Sequence, residues 1–260
     1  MSLAKSYCKI LRQHVRMHAA WLPVSTNFEL GDYGLWRGGV FTPIGNIREF
    51  DVPLMEISEG NPVTLSYVSS GTRIVHLQGG VEVSNIANVG GGEAELKLEF
   101  SKSESFYIQA PRLDSIRITN IAEIAHRLQG SKVDGRRWRL RYKVVHEIFT
   151  AECVTLLATI EKDTSVSVRG EASLVQSVES GAVNTAMQAQ FSRKVGLNII
   201  GQRGPIGLRL FRCRASGTPL LFGDEGVRGV TPDDEELPYE ELGYDDDFDD
   251  DPDEDDELVT

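Results

Sequence analysis

Alternation with a period of two dominates the chain from Thr72 to Ile199, whereas a 3.6-residue period governs the first eighteen residues and a short stretch near 121–128. Leu3, Tyr7, Ile10, Leu11 and Val15 repeat at helical spacing and predict a helix over Leu3–His18. Leu22–Pro62 is dense in glycine and proline and predicts short strands joined by tight turns. Thr72–Gln109 predicts a long hairpin reversing at Gly90-Gly91-Gly92. Val75, Leu77, Val81 and Val83 share one parity on its first arm, and Ala94, Leu96, Leu98 and Phe100 alternate with Glu93, Glu95, Lys97 and Glu99 on its second. Ile116–Leu128 reads as a strand running into a short helix, and Trp138–Ala151 as a further strand.

The longest regular pattern follows. From Val154 to Val178 the even positions are Val154, Leu156, Ala158, Ile160, Val166, Val168, Gly170, Ala172, Leu174 and Val178, interrupted by Lys162, Thr164 and Gln176, against largely polar odd positions. After Ser180-Gly181 the pattern resumes on odd positions, with Val183, Met187, Ala189, Phe191, Val195 and Leu197. Globular strands usually run about five or six residues. A strand crossing a bilayer needs roughly 9–11 alternating residues, and a closed barrel of such strands satisfies every backbone group through its neighbours. Two readings stand here: one long amphipathic hairpin able to enter a membrane, or two or three sandwich strands that keep parity through bulges and turns.

Charge is divided unevenly. Of the 39 acidic residues, 17 lie in Thr231–Thr260, which has no lysine or arginine, leaving 22 acids against 27 bases in the rest. A block of like charge cannot collapse on itself, so the expected organisation is a body over 1–223 and an acidic, disordered or autoinhibitory tail over 224–260. The tail either solvates the chain or folds back on the basic body, where tethering supplies roughly millimolar effective concentration. Lys5, Lys9, Arg12 and Arg16 form one stripe on the first helix, suited either to solvent or to an anionic membrane surface. No apolar run approaches the ~18 residues of a membrane helix, and the first twenty residues hold no uninterrupted signal-peptide core.

Cys8, Cys153 and Cys213 are too few and too scattered for a disulfide framework or a zinc site, which points to a reducing, cytoplasmic setting. No metal spacing, nucleophile elbow or phosphate loop is present, so neither an enzyme nor a cofactor is expected. His14 and His18 lack the intervening glutamate of a metalloprotease motif. The arginines flanking Trp138 read as a strand edge kept soluble by charge rather than as a nucleic-acid surface.

The order of these elements resembles the amino-terminal domain of gasdermins, of the bacterial or fungal type. The resemblance is carried by a basic first helix, the Pro23-Val24 step, the first hairpin, the helix Ile121–Leu128, the segment Tyr142-Lys-Val-Val-His-Glu-Ile-Phe, the second hairpin, and Gly207-Leu-Arg-Leu-Phe-Arg-Cys, over nearly all of residues 3–222. It implies an α+β fold: a β-rich twisted antiparallel sheet with long amphipathic hairpins and few short helices. The function it implies is a pore-former, stored in the cytoplasm, that oligomerises on the cell membrane and permeabilises it in cell death or defence. It also implies head-group contact by Lys5, Lys9, Arg12 and Arg16, membrane insertion of the hairpin around Val166, Val168, Ala172, Leu174, Val183, Met187, Ala189, Phe191, Val195 and Leu197, and lipidation (palmitate) at Cys8, which otherwise reads as a small buried residue. The chain departs from mammalian members in lacking a large inhibitory domain, so the trigger is a partner, or a protease acting between Gly223 and Asp233 with Arg228 as the candidate cut point. The rival expectation is a β-sandwich binding module whose acidic tail captures basic proteins. A sheet-rich ligand carrier is a third, without a pocket signature.

Overall fold

The computed structural model describes residues 3–20, 27–37, 40–54, 57–86, 92–129, 131–133, 136–182, 195–200, 203–213 and 239–241. In chain order these form helix α1 (Leu3–Val15), strands β1 (His18–Ala19), β2 (Asp32–Arg37) and β3 (Val40–Asn46), a 3-10 turn (Ile47–Phe50), β4 (Ile57–Glu59), β5 (Val63–Val68), β6 (Thr72–Gln78), β7 (Val81–Val83), β8 (Glu93–Phe100) and β9 (Ser105–Ile118). Helix α2 (Ile121–Leu128), β10 (Lys132–Val133), β11 (Arg136–Arg137), β12 (Lys143–Ala151), β13 (Thr155–Thr159), β14 (Thr164–Glu171), helix α3 (Ala172–Ser180), β15 (Val195–Ile200), β16 (Gly204–Cys213) and β17 (Tyr239–Glu241) complete the described chain.

The architecture is α+β. Among the described residues, eleven strands form one antiparallel sheet in which β1-β16-β12-β9-β13-β15 is the main path. A second sheet of four strands has the order β14-β8-β6-β7. Strand β9 is the hub: one edge takes β13 along Ser105–Gln109 and β12 along Leu113–Arg117, and the other takes β5 and β4. Helix α1 buries Tyr7, Cys8, Ile10 and Leu11, and α2 buries Ile121, Ile124, Ala125 and Leu128, in one core with Phe106, Ile108 and Leu156 on one face of the large sheet. The opposite face, through Tyr107 and Leu157, joins a second core with Leu96, Leu98, Val166 and Val168 of the small sheet and Ala172, Val175 and Val178 of α3. β13 is covered on both faces and is buried throughout.

The second arm of the first hairpin follows its alternation: Ala94, Leu96, Leu98 and Phe100 are buried and Glu93 is exposed. The first arm differs from expectation. Gly79 and Gly80 both take left-handed backbone, φ 57 and 81, and turn β7 back onto β6 as a separate strand with Val81 exposed. Two successive positive-φ residues are the requirement of a tight hairpin turn, and glycine meets it without a Cβ penalty.

The second hairpin differs more. The run from Val154 to Val178, expected either as one long strand or as separate strands keeping parity through turns, is β13, a four-residue bend, β14 and then helix α3, so Ala172 and Leu174 lie on a helix. Ala172, Val175 and Val178 are buried at spacings of three, a helical face that shares Ala172 and Val178 with the even-parity set. The expected Ser180-Gly181 reversal is the end of that helix, where Gly181 caps it with φ 76. Residues 239–241, in the tail expected to be either disordered or folded back on the body, form β17 and pair with Phe211–Cys213 of β16. The same edge of β16 carries β1 at Gly207–Leu208, immediately after α1.

Candidate functional site

The two sheets are joined by three of the same strands. β5 continues into β6 through residues 69–71, β8 into β9 through 101–104, and β13 into β14 through 160–163. Pairing is preserved across the break: Val68 faces Tyr107 and Thr72 faces Phe100 on one side, and Thr159 faces Ser105 and Thr164 faces Phe100 on the other. The result is a three-stranded ribbon folded along one crease. Each strand crosses it with one residue in the left-handed region: Gly71 (φ 88), Glu104 (φ 53) and Asp163 (φ 57). For the two non-glycine residues this backbone costs roughly 1–2 kcal/mol each.

Serines and threonines take over the hydrogen bonds that the ladder drops here. The Ser101 amide and hydroxyl donate to the Gly71 carbonyl at 3.0 and 2.8 Å. The Phe106 amide donates to Ser69 Oγ at 2.9 Å, while the Ser69 amide donates to the Phe106 carbonyl. The Thr159 and Thr164 hydroxyls bond each other at 2.8 Å, and Ser105 Oγ donates to the Lys102 carbonyl. Short side chains that satisfy local backbone are what a strand needs to bend without leaving buried groups unpaired.

Helix α3 fills the angle between the sheets and covers the apolar side of the ribbon's outer half. Its C-terminal end is clasped. The carbonyls of Val178 and Glu179 in its last turn accept hydrogen bonds from Thr155 Oγ1 of β13 (2.9 Å) and Tyr107 Oη of β9 (2.8 Å), Val178 also accepting from the capping Gly181 amide. His76 Nε2 of β6 lies 2.8 Å from Glu179 Oε1, and Gln176 reaches the Ile86 carbonyl. The other side of the small sheet carries ion pairs beside buried Val75, with Arg73 paired to Glu82 and Glu99, Lys97 to Glu99, and Arg169 to Glu95. Such exposed pairs contribute little to stability but keep that face wet.

Of the basic stripe, Lys5, Lys9 and Arg16 are exposed, and Arg12 is buried at 5% exposure. Arg12 follows Leu11 by one residue and Cys8 by four, which places it on the flank of the helix's apolar face. The structure therefore removes it from the outward stripe. Arg16 lies one residue past α1 with φ 53, and its carbonyl accepts from Arg209 Nε, whose guanidinium also pairs with buried Glu147 at 2.8 Å. Cys8 is fully buried, and burial pushes its thiol above the usual range, so it is not presented for lipidation in this state. Val166 and Val168 are buried on β14 against the α3 core, while Val195 and Leu197 lie on β15 opposite Thr159 and Ala158. Val183, Met187, Ala189, Phe191, Arg228 and the Pro23-Val24 step lie outside the described residues.

Ser69, Ser101, Thr159, Thr164, Glu104 and the Tyr107–Thr155 clasp were not singled out by the sequence pattern. The signal for the crease was present in the three small polar runs Ser69-Ser70-Gly71, Ser101-Lys-Ser-Glu104 and Glu161-Lys-Asp-Thr164, each interrupting an alternating strand. Among the described residues no helix is long and apolar enough to cross a membrane, and no His, Cys, Asp or Glu cluster is arranged to hold a metal.

No family model matches the chain, and no curated protein does. Among solved structures, a bacterial gasdermin from Bradyrhizobium tropiciagri is similar at 13% identity and a TM-score of 0.31, covering 74% of this chain and 80% of that one. The gasdermin A3 membrane pore is similar at 9% identity and a TM-score of 0.30, covering 82% of this chain and 91% of that one.

Proposed function

We propose that this chain is a membrane-permeabilising protein of the gasdermin type, held in a stored state by the crease. The observation that carries the reading is the folded three-stranded ribbon, not the remote likeness to solved gasdermins. If residues 69–71, 101–104 and 160–163 extend, β5–β6, β8–β9 and β13–β14 become continuous strands, long enough to pass the roughly 9–11 residues that span a bilayer, and α3, which directly follows β14, unwinds to prolong the last of them. Their apolar side, now under α3, then meets lipid, and the ion-paired side lines water. Edges exposed by this opening are satisfied by neighbouring copies, which is why the active form is an oligomer.

The exposed cations of α1 supply the attraction to anionic head groups. The acidic tail opposes it: β17 holds residues 239–241 on the β16 edge that also carries β1 directly after α1. This seating favours a tail that folds back on its own body over one that captures basic proteins. Activation follows removal of the tail by a protease, or its displacement by a partner.

The test is to place a specific protease site beside Arg228, cleave the folded full chain and follow dye release from vesicles containing anionic lipid. Release is expected only after cleavage. The triple variant K5E/K9E/R16E is expected to bind those vesicles on the order of a hundredfold more weakly or worse, since each basic residue near such a surface contributes about 1 kcal/mol. Arg12 is left intact because it packs. Cleaved protein that binds vesicles without releasing dye overturns the reading.

A further inference from the structure

We propose that α1 is the latch of the crease, so that drawing this helix onto an anionic lipid surface is itself what frees the ribbon to extend. The inference rests on the ribbon being the moving part, and it assigns to α1 a role beyond head-group contact.

Three contacts from the one helix land on the crease. Ser6, itself buried, donates its hydroxyl to Glu104 Oε2 at 2.5 Å across 98 residues of sequence. Glu104 is the left-handed residue by which the central strand of the ribbon turns from β8 into β9. Tyr7 stacks on Phe106 with ring centroids 6.0 Å apart, and Phe106 is the residue whose amide and carbonyl both bond Ser69 across the fold. His14 lies 4.9 Å from the ring of Tyr67, two residues before Ser69. The helix therefore grips two of the three crossing strands at the level where they bend, and it holds the side chain of a residue whose backbone is strained there.

The opposite side of the same helix displays Lys5 and Lys9. A rigid helix cannot serve both sides when a charged surface pulls it away, so lipid attraction and crease contact compete. Coupling of this kind is reciprocal: whatever loosens the crease also makes α1 easier to recruit.

The experiment uses the full chain and the variants S6A, E104A and S6A/E104A, each of which removes the Ser6–Glu104 hydrogen bond. Amide hydrogen exchange across residues 100–107 is measured in solution, with β12 residues 144–148 as the internal reference. Loss of a hydrogen bond to a charged group is expected to speed exchange at the crease on the order of tenfold, with β12 unchanged. The double variant is expected to add little to E104A, which already removes the Ser6 bond. Vesicle binding by S6A is expected to strengthen.

Crease exchange in S6A indistinguishable from the parent chain overturns the latch, whatever the vesicles do. Faster crease exchange and tighter binding, with no dye release by any cleaved form, leave the latch standing and sink the permeabilising function. Dye release with unaltered crease exchange does the reverse.

Discussion

Replacing Gly181 by alanine is expected to lower the urea midpoint of unfolding by an amount equivalent to at least about 2 kcal/mol. Gly181 sits at φ 76, where an L side chain costs roughly 1–2 kcal/mol. A Cβ there would also stand 2.5 Å from the Gln109 carbonyl oxygen and 2.9 Å from its carbon, both backbone atoms of β9 that cannot step aside cheaply. Relief requires the end of α3 to withdraw from β9, which breaks the Tyr107 and Thr155 hydrogen bonds to the helix terminus. The variant therefore loosens the cover over the ribbon as well as the fold, and full-length G181A is expected to release dye from anionic vesicles without cleavage. An unchanged midpoint would show that α3 is not seated as described.

The second large effect is on acid stability, through His146. This residue sits at a register shift in β12, 4% exposed, with its ring 6.0 Å from Phe211. Burial, reinforced by the positive charges of Arg209 and Arg117, pushes its pKa down to about 3 from an ordinary 6.5. The folded chain then binds fewer protons than the unfolded chain between those two values, so stability falls as pH drops below about 6.5 and continues to fall toward about 3. Between pH 6.5 and pH 4.5 the loss from this group is on the order of 2 kcal/mol, the slope rising to about 1.4 kcal/mol per unit of pH as the unfolded histidine becomes fully protonated. Urea titrations at the two pH values check it. H146L is expected to remove most of that difference, leaving the part due to carboxylates, and an identical pH dependence in H146L would contradict the assignment.

How much of this was legible in the residues varies by element. The strand Glu93–Phe100 was plain because one of its faces is solvated and carries Glu93, Glu95, Lys97 and Glu99, so burial and parity coincide. The end of β9 running into α2 was legible because the period changes at Ile121, but β9 itself joins residues read as two runs, one ending at Gln109 and one beginning at Ile116. Helix α3 was not. Ala172 and Val178 fit both a strand of even parity and a helix of three-residue spacing, and only the burial of Val175 over Leu174 separates the two. The crease was hidden because the bend at 160–163 contains four residues, an even number, and therefore returns β14 to the parity of β13. The burial of Arg12 was hidden by its regular spacing with Lys9 and Arg16, which describes a stripe without saying which flank of it meets the sheet. The pairing of residues 239–241 with β16 was masked by composition: a segment surrounded by acids reads as solvated, yet backbone pairing at a sheet edge asks little of side chains.

The central claim is that the creased ribbon and α3 become continuous membrane strands, and residue-by-residue accessibility on vesicles tests it most directly. Single cysteines are placed at each position from 164 to 180, with Cys8, Cys153 and Cys213 replaced by alanine, and their reaction with a water-soluble maleimide is compared before and after assembly on anionic vesicles. In the stored state, protection at 172, 175 and 178 follows the helical face of α3. On the membrane the account predicts period two throughout, with 166, 168, 172, 174 and 178 protected and 175 reactive. Retention of the helical pattern at 172–180 in protein that is releasing dye would contradict it.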